Sequence, residues 1–254
     1  MVTRRIQVPG LLAADALAPG LAQLSAELAL PAAFPAAAES EASSATPQGC
    51  AAMHGQLIGA DAREDATALP FVTLDPAGSR DLDQAFAILP GADGGLTLHY
   101  AIADVAAHVD AGGAIAEASL ARGETVYLPG RRVPLHPPAL SEGVASLLPE
   151  QTRLAVLWTL DFDVDGELVG TPQVRRAVVR STAQLDYVGA HAALNAGQPH
   201  PQIAALAALG PRLDRAALRR GAIALPEPEQ ELVGDGADAH LRMRHVANLA
   251  ASSR

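Results

Sequence analysis

Pro70-Phe-Val-Thr-Leu-Asp75-Pro-Ala-Gly-Ser-Arg80-Asp81-Leu82-Asp83-Gln84-Ala-Phe-Ala-Ile88 reads as strand, turn, strand, with Asp75, Asp81 and Asp83 gathered around the turn. Phe71 to Leu74 and Ala85 to Leu89 are apolar runs of strand length. Side chains alternate along an extended chain, so Asp81 and Asp83 share one side, and a bend at Pro76 to Ser79 lets Asp75 join them. Crowded carboxylates repel one another unless a cation neutralises them. Oxygen donors alone favour a hard divalent ion, magnesium or manganese ahead of zinc. A solvated acidic turn is the bland alternative for the same residues.

Outward from this stretch, Leu96 to Val105 and Leu154 to Val164 read as further strands. Gly91 to Gly95 and Asp165-Gly166 mark hairpin turns, the second leading into a strand over Glu167 to Ser181. Ala114 to Arg122, Ala183 to Asn195 and Pro201 to Arg220 have helical spacing, and Pro226 to Glu231 reads as a loop or edge segment. Upstream, Leu11 to Leu30 predicts a helix pair broken near Pro19-Gly20, and Pro31 to Gln48 a linker or extended wrap. The order points to an α+β fold: an N-terminal helical and linker segment over 1–60, then a larger domain over 61–254.

Composition narrows the class. The chain has 254 residues and a net charge of −10, which argues against coating nucleic acid by bulk attraction. All 18 basic residues are arginines, clustered at Arg131-Arg132, at Arg175-Arg176 with Arg180, and over Arg212 to Arg220. A local phosphate track is therefore compatible with the acidic total. The single cysteine, Cys50, forms no intramolecular disulfide and fits a reducing cytoplasm. No apolar run approaches the roughly 20 residues of a membrane span, so no membrane partner is expected.

The acidic stretch resembles the signature of the RNB catalytic domain of the ribonuclease II family. The resemblance continues in order through Ala101-Ile-Ala-Asp104-Val, Val126-Tyr127-Leu-Pro129, Val133-Pro134, Leu140-Ser141-Glu142, Ser146-Leu-Leu-Pro149, Arg153-Leu154-Ala155, Leu185-Asp186-Tyr187 and Arg220-Gly221-Ala222-Ile223. It covers about Phe71 to Glu231. The fold it implies is a mixed or antiparallel sheet with helices. The activity it implies is hydrolysis of single-stranded RNA from the 3′ end, one nucleotide at a time, releasing 5′-monophosphates; DNA is not expected as a substrate. On the matching positions Asp75, Asp81 and Asp83 would be catalytic and hold Mg²⁺ (Mn²⁺ being an alternative), with Asp83 helping to organise the attacking water. Tyr127 and Tyr187 would contact RNA, stacking on bases. From the residues alone, filling the core is the simpler role for either tyrosine.

The chain also departs from the pattern. The family carries a fourth acidic residue where Gln84 stands, and an amide oxygen can ligate magnesium without adding charge. The family's domain runs on through a helical half bearing a phosphate-supporting arginine. Relative to it this chain reads as truncated, with the C-terminal half missing. Weak turnover, uncovered sheet edges and a catalytically impaired fragment that only binds RNA are the expectations that follow. A nucleotide-sugar transferase using Asp-x-Asp for a metal–diphosphate is a third reading, without the strand–helix pattern it needs. His99, His108, His136 and His191 lack metal-like spacing, Asp104 is either a support to the acidic site or structural, and Trp158 reads as core.

Overall fold

The computed structural model describes residues 5–6, 14–45, 63–128, 131–223, 228–233 and 240–245. Strand β1 is Arg5–Ile6, helix α1 Ala14–Glu27 and helix α2 Ala36–Ser44. Next come β2 (Glu64–Asp65), β3 (Phe71–Asp75), β4 (Gln84–Pro90), β5 (Leu96–Ala103) and helix α3 (Ala114–Arg122). A short ribbon of β6 (Val126–Leu128) and β7 (Arg131–Val133) precedes a widened helical turn at Leu140–Val144. Strands β8 (Thr152–Phe162) and β9 (Leu168–Asp186) lead to helices α4 (Tyr187–Asn195) and α5 (Pro201–Arg219). Strands β10 (Pro228–Val233) and β11 (His240–His245) form an antiparallel sheet with β1.

The main sheet closes on itself. β3 pairs antiparallel with β4, β4 with β5, β5 with β8 and β8 with β9, while the far end of β9 runs parallel to β3. The 19-residue length of β9 makes this closure possible: Leu168 to Arg180 face β8, and Ser181 to Asp186 face β3. Both hairpins form where the sequence places them, with Asp93 and Gly94 at positive φ in the first and Gly166 at φ 81° in the second. The uncovered edges expected of an incomplete sheet are absent from this ring, because each of its five strands is paired on both sides.

A closed ring of five strands has little room inside. Alanine supplies the fit: Ala85, Ala87, Ala101, Ala103, Ala155 and Ala177 pack inward with Phe71, Leu157 and Val179. The alternate residues Val72, Phe86 and Ile88 face out and are covered by Ile203 and Leu209 of α5. Buried Gln202 anchors that helix, its Oε1 accepting from the Ile88 amide at 2.6 Å.

Several elements differ from expectation. α1 runs through Pro19 as one helix, since a single proline removes one intrahelical bond without obliging the chain to turn. The supposed linker contains α2, whose buried Ala38 and Ala42 pack with Ile115 and Ala118 of α3. Glu41 reaches the start of α3, accepting from the Ile115 amide at 3.2 Å, and Gly113 leaves room for it. β9 continues to Asp186 before α4 begins, because Ala183 to Leu185 pair with Val72 to Leu74. The expected loop or edge segment near Pro226 is partly strand β10. Trp158 is not core: it is 37% exposed on the outer face, opposite Tyr100 and Val174. Cys50 and Pro129 lie outside the described residues.

Candidate active site

The acidic segment crosses one end of the ring. Asp75 closes β3, in register with Asp186 on β9. The turn that follows is held by a 3.1 Å bond from the Ser79 amide to the Pro76 carbonyl, and Gln184 donates to the Ser79 carbonyl at 2.7 Å. The next four residues are clamped from beneath. The Ser146 hydroxyl donates to the Arg80 carbonyl at 2.6 Å and accepts from the Leu82 amide at 3.0 Å. The Leu147 amide donates to the Leu82 carbonyl, and the Ala103 amide to the Asp83 carbonyl, both at 2.8 Å. Leu82 is fully buried as the anchor, which turns its neighbours Asp81 and Asp83 away from the core.

Arg153 secures the clamp in turn. Its buried guanidinium donates to the Ser146 carbonyl at 2.8 Å and the Gly143 carbonyl at 3.3 Å, tying the widened turn to β8. Asp104, only 3% exposed, is held by Arg63 at 2.8 Å and Arg176 at 3.3 Å. Its part is therefore structural, at the end of β5.

The three aspartates are not equivalent. Burial raises the Asp75 carboxyl above its ordinary range, and the charges of Asp83 and Asp81 push it further. Asp83 is raised too, chiefly by burial and then by Asp81, with a backbone hydrogen bond partly opposing. Asp75 Oδ2 is buried without a hydrogen-bond partner. Asp81 instead meets Arg132, whose Nη1 lies 2.5 Å from its Oδ2, while the other arm of the guanidinium holds Glu142. Gln84 accepts a hydrogen bond from the Tyr100 hydroxyl. Among the described residues no three His, Cys, Asp or Glu side chains stand close enough together to hold an ion. The expected set of Asp75, Asp81, Asp83 and Gln84 is thus gathered at one end of the ring but not closed into a ligand cage.

Asp81 and Asp83 also line a pocket of about 270 Å³, with Tyr127, Arg132, His136 and Ser141 in its wall. Tyr127 stands 72% exposed on the ribbon, directly across from Arg132 in the β6–β7 register. Tyr187 opens α4 behind Asp186, which caps the helix by accepting from the Gly189 amide at 2.8 Å. Exposure, not burial, is what both tyrosines have, against the core-filling alternative. No local signal marks a role for Arg132, Glu142, Ser146 or Tyr100. Arg132 showed only as half of an arginine pair, and its partners lie 51 and 10 residues away.

A closed β-ring with helices on its outer face, an acidic loop at one end and exposed tyrosines beside it defines an α+β domain. The chain belongs to the RNB domain family, which matches residues 63–251. Exoribonuclease 2 of Pectobacterium atrosepticum is 39% identical over 133 residues, 52% of this chain and 20% of that protein. Exoribonuclease 2 of Enterobacter sp. is 36% identical over 160 residues, 63% of this chain and 25% of that protein. RNase R of Mycoplasma genitalium, solved with ribose-methylated single-stranded RNA, superimposes with a TM-score of 0.67 at 29% identity, over 75% of this chain and 30% of its own. The chain therefore spans about a fifth to a quarter of the length of these curated relatives. The family match runs past Glu231, where the sequence resemblance had faded, and Gly234 to Arg254 contains strand β11, not a helix, among its described residues.

Proposed function

We propose that this chain carries the metal-binding part of a hydrolytic 3′-to-5′ exoribonuclease acting on single-stranded RNA and releasing 5′-monophosphates. The observation that carries this is the buried, unpartnered Oδ2 of Asp75, whose carboxyl is raised by burial and by the charges of Asp83 and Asp81, beside Asp83, which is raised by burial and by Asp81. Such a pair fits Mg²⁺ or Mn²⁺ through its hard oxygen donors. Asp81 would add a third carboxylate and Gln84 a neutral oxygen. A bound ion would lower the pKa of the attacking water and stabilise the departing 3′-oxygen.

The protein's own part is positional. The Ser146, Leu147 and Ala103 bonds fix the backbone from Arg80 to Asp83, so the Asp83 carboxylate is held where it can orient water and accept a proton. Tyr100 fixes the Gln84 amide so that its oxygen faces the hydroxyl. Tyr127 and Tyr187 offer exposed rings for stacking, which tolerates any base. The RNase R structures with RNA support RNA as the ligand. Among the described residues no helix is long and apolar enough to cross a membrane; a cytoplasmic location belongs to the same proposal.

A 5′-labelled single-stranded RNA incubated with the chain and Mg²⁺ should shorten stepwise from its 3′ end, and Asp83→Asn should stop it. RNA that is retained but never shortened would leave the chain as an RNA-binding fragment without turnover.

A further inference from the structure

We propose that Arg132 is an exchangeable counterion: without RNA it neutralises Asp81, and a phosphate of the entering strand draws its guanidinium away, so that RNA and divalent-cation binding reinforce each other. This rests on the metal and RNA reading above and adds the coupling between them.

The placement of the side chain supports it. One arm of the Arg132 fork lies on Asp81 Oδ2 and the other on Glu142, so the apo site holds a cation of its own where a metal ligand is needed. An arginine and a divalent ion cannot both sit against the same carboxylate oxygen without repelling each other. The guanidinium is a third exposed and stands in the wall of the pocket that Asp81 and Asp83 share, so a strand entering there can reach it. A phosphate presents two oxygens to the same planar fork that now grips carboxylates, and it can replace Asp81 like for like. Tyr127, directly opposite on the ribbon, places a stacking surface beside this phosphate site. Glu142 keeps its hold during the exchange, so the arm pivots and does not detach.

The linkage is reciprocal: whatever factor RNA gives to metal affinity, metal must give to RNA affinity. The test uses the full chain, with Mn²⁺ binding followed by electron paramagnetic resonance in the presence and absence of an all-2′-O-methyl single-stranded oligonucleotide. For the wild type the oligonucleotide should tighten Mn²⁺ about tenfold. Arg132→Gln should bind Mn²⁺ tightly without RNA, and its RNA effect should fall to near one. Glu142→Gln should shift the other way, because the whole guanidinium charge then falls on Asp81; it serves if Arg132→Gln does not fold. Arg219→Gln, at an exposed arginine paired with Glu167, makes the same charge change without altering the Asp81–Arg132–Glu142 set and should keep the coupling.

An RNA effect of one in the wild type, or coupling unchanged in Arg132→Gln, overturns the counterion. Absence of Mn²⁺ binding in the wild type under both conditions overturns the metal reading with it. Binding that depends on Asp75 and Asp83 but ignores Arg132 removes the counterion alone.

Discussion

The Leu82 amide and the Ser146 hydroxyl, 64 residues apart in the chain, meet at 3.0 Å and fix the loop that carries Asp81 and Asp83. Ser146→Ala would leave a buried N–H and the Arg80 carbonyl without their partner. An unmade buried hydrogen bond costs about 1–3 kcal/mol. A fall of that size in unfolding free energy is expected from urea denaturation, with Mn²⁺ affinity falling alongside as the loop loosens. An unchanged urea midpoint would show that the clamp is incidental.

The second buried contact is ionic. Arg63 and Asp104 are both 3% exposed at the side chain, and removing the guanidinium strands a buried charge. Breaking such a pair costs about 3–5 kcal/mol, and Arg176 at 3.3 Å keeps this case toward the lower end. Arg63→Met should therefore lower stability by roughly 3 kcal/mol. The double variant Arg63→Met/Asp104→Leu should recover much of it, since the uncompensated charge is gone. A double variant as weak as the single one would point to lost packing instead of electrostatics.

How far the sequence carried the reading depends on the range of the interactions involved. The strand pairs around Asp75 to Ile88 and both hairpins were legible because period-two alternation and turn residues are local signals. Closure of the ring was not, because it rests on the far end of β9 pairing with a strand about 110 residues earlier, and helical composition over Ala183 to Asp186 hid that pairing. The alanines that fill the narrow interior of the ring carry no local signal of that role. At the site, Asp75, Asp81, Asp83, Tyr127 and Tyr187 were legible by type and order. The partners that decide their state were not: Arg132 for Asp81, Tyr100 for Gln84 and Ser146 for Leu82 come from separate elements.

Tyr127 offers the cleanest separation of binding from folding. With 72% of its surface exposed, Tyr127→Ala should leave the thermal midpoint within about a degree. Base stacking is worth about 1–3 kcal/mol, so RNA affinity should fall roughly 5- to 150-fold. Fluorescence anisotropy with a labelled single-stranded RNA checks this, and Tyr127→Phe should restore most of the binding. Unaltered affinity in Tyr127→Ala would take the ribbon out of the RNA path.

The carboxylates give a pH dependence whose sign is fixed by their surroundings. Asp75 is raised in the folded chain by burial and then by the charges of Asp83 and Asp81. The folded state therefore holds this proton more tightly than the unfolded chain does. Its contribution to stability is present at low pH and is lost as pH climbs from the ordinary carboxylate value through the raised one. Above that window the ionised group is a standing penalty, which a divalent cation relieves and an amide avoids. In chelator near neutral pH, Asp75→Asn should thus melt higher than the wild type, by roughly one to two degrees once solvent screening of this half-buried group is allowed for. The gap should close as pH is lowered through the carboxylate range. Adding Mg²⁺ should lift the wild type toward the variant and leave the variant nearly unmoved. A variant that melts lower at neutral pH, or a gap indifferent to pH, would mean that Asp75 is stabilised by a contact within the protein and is not waiting for a cation.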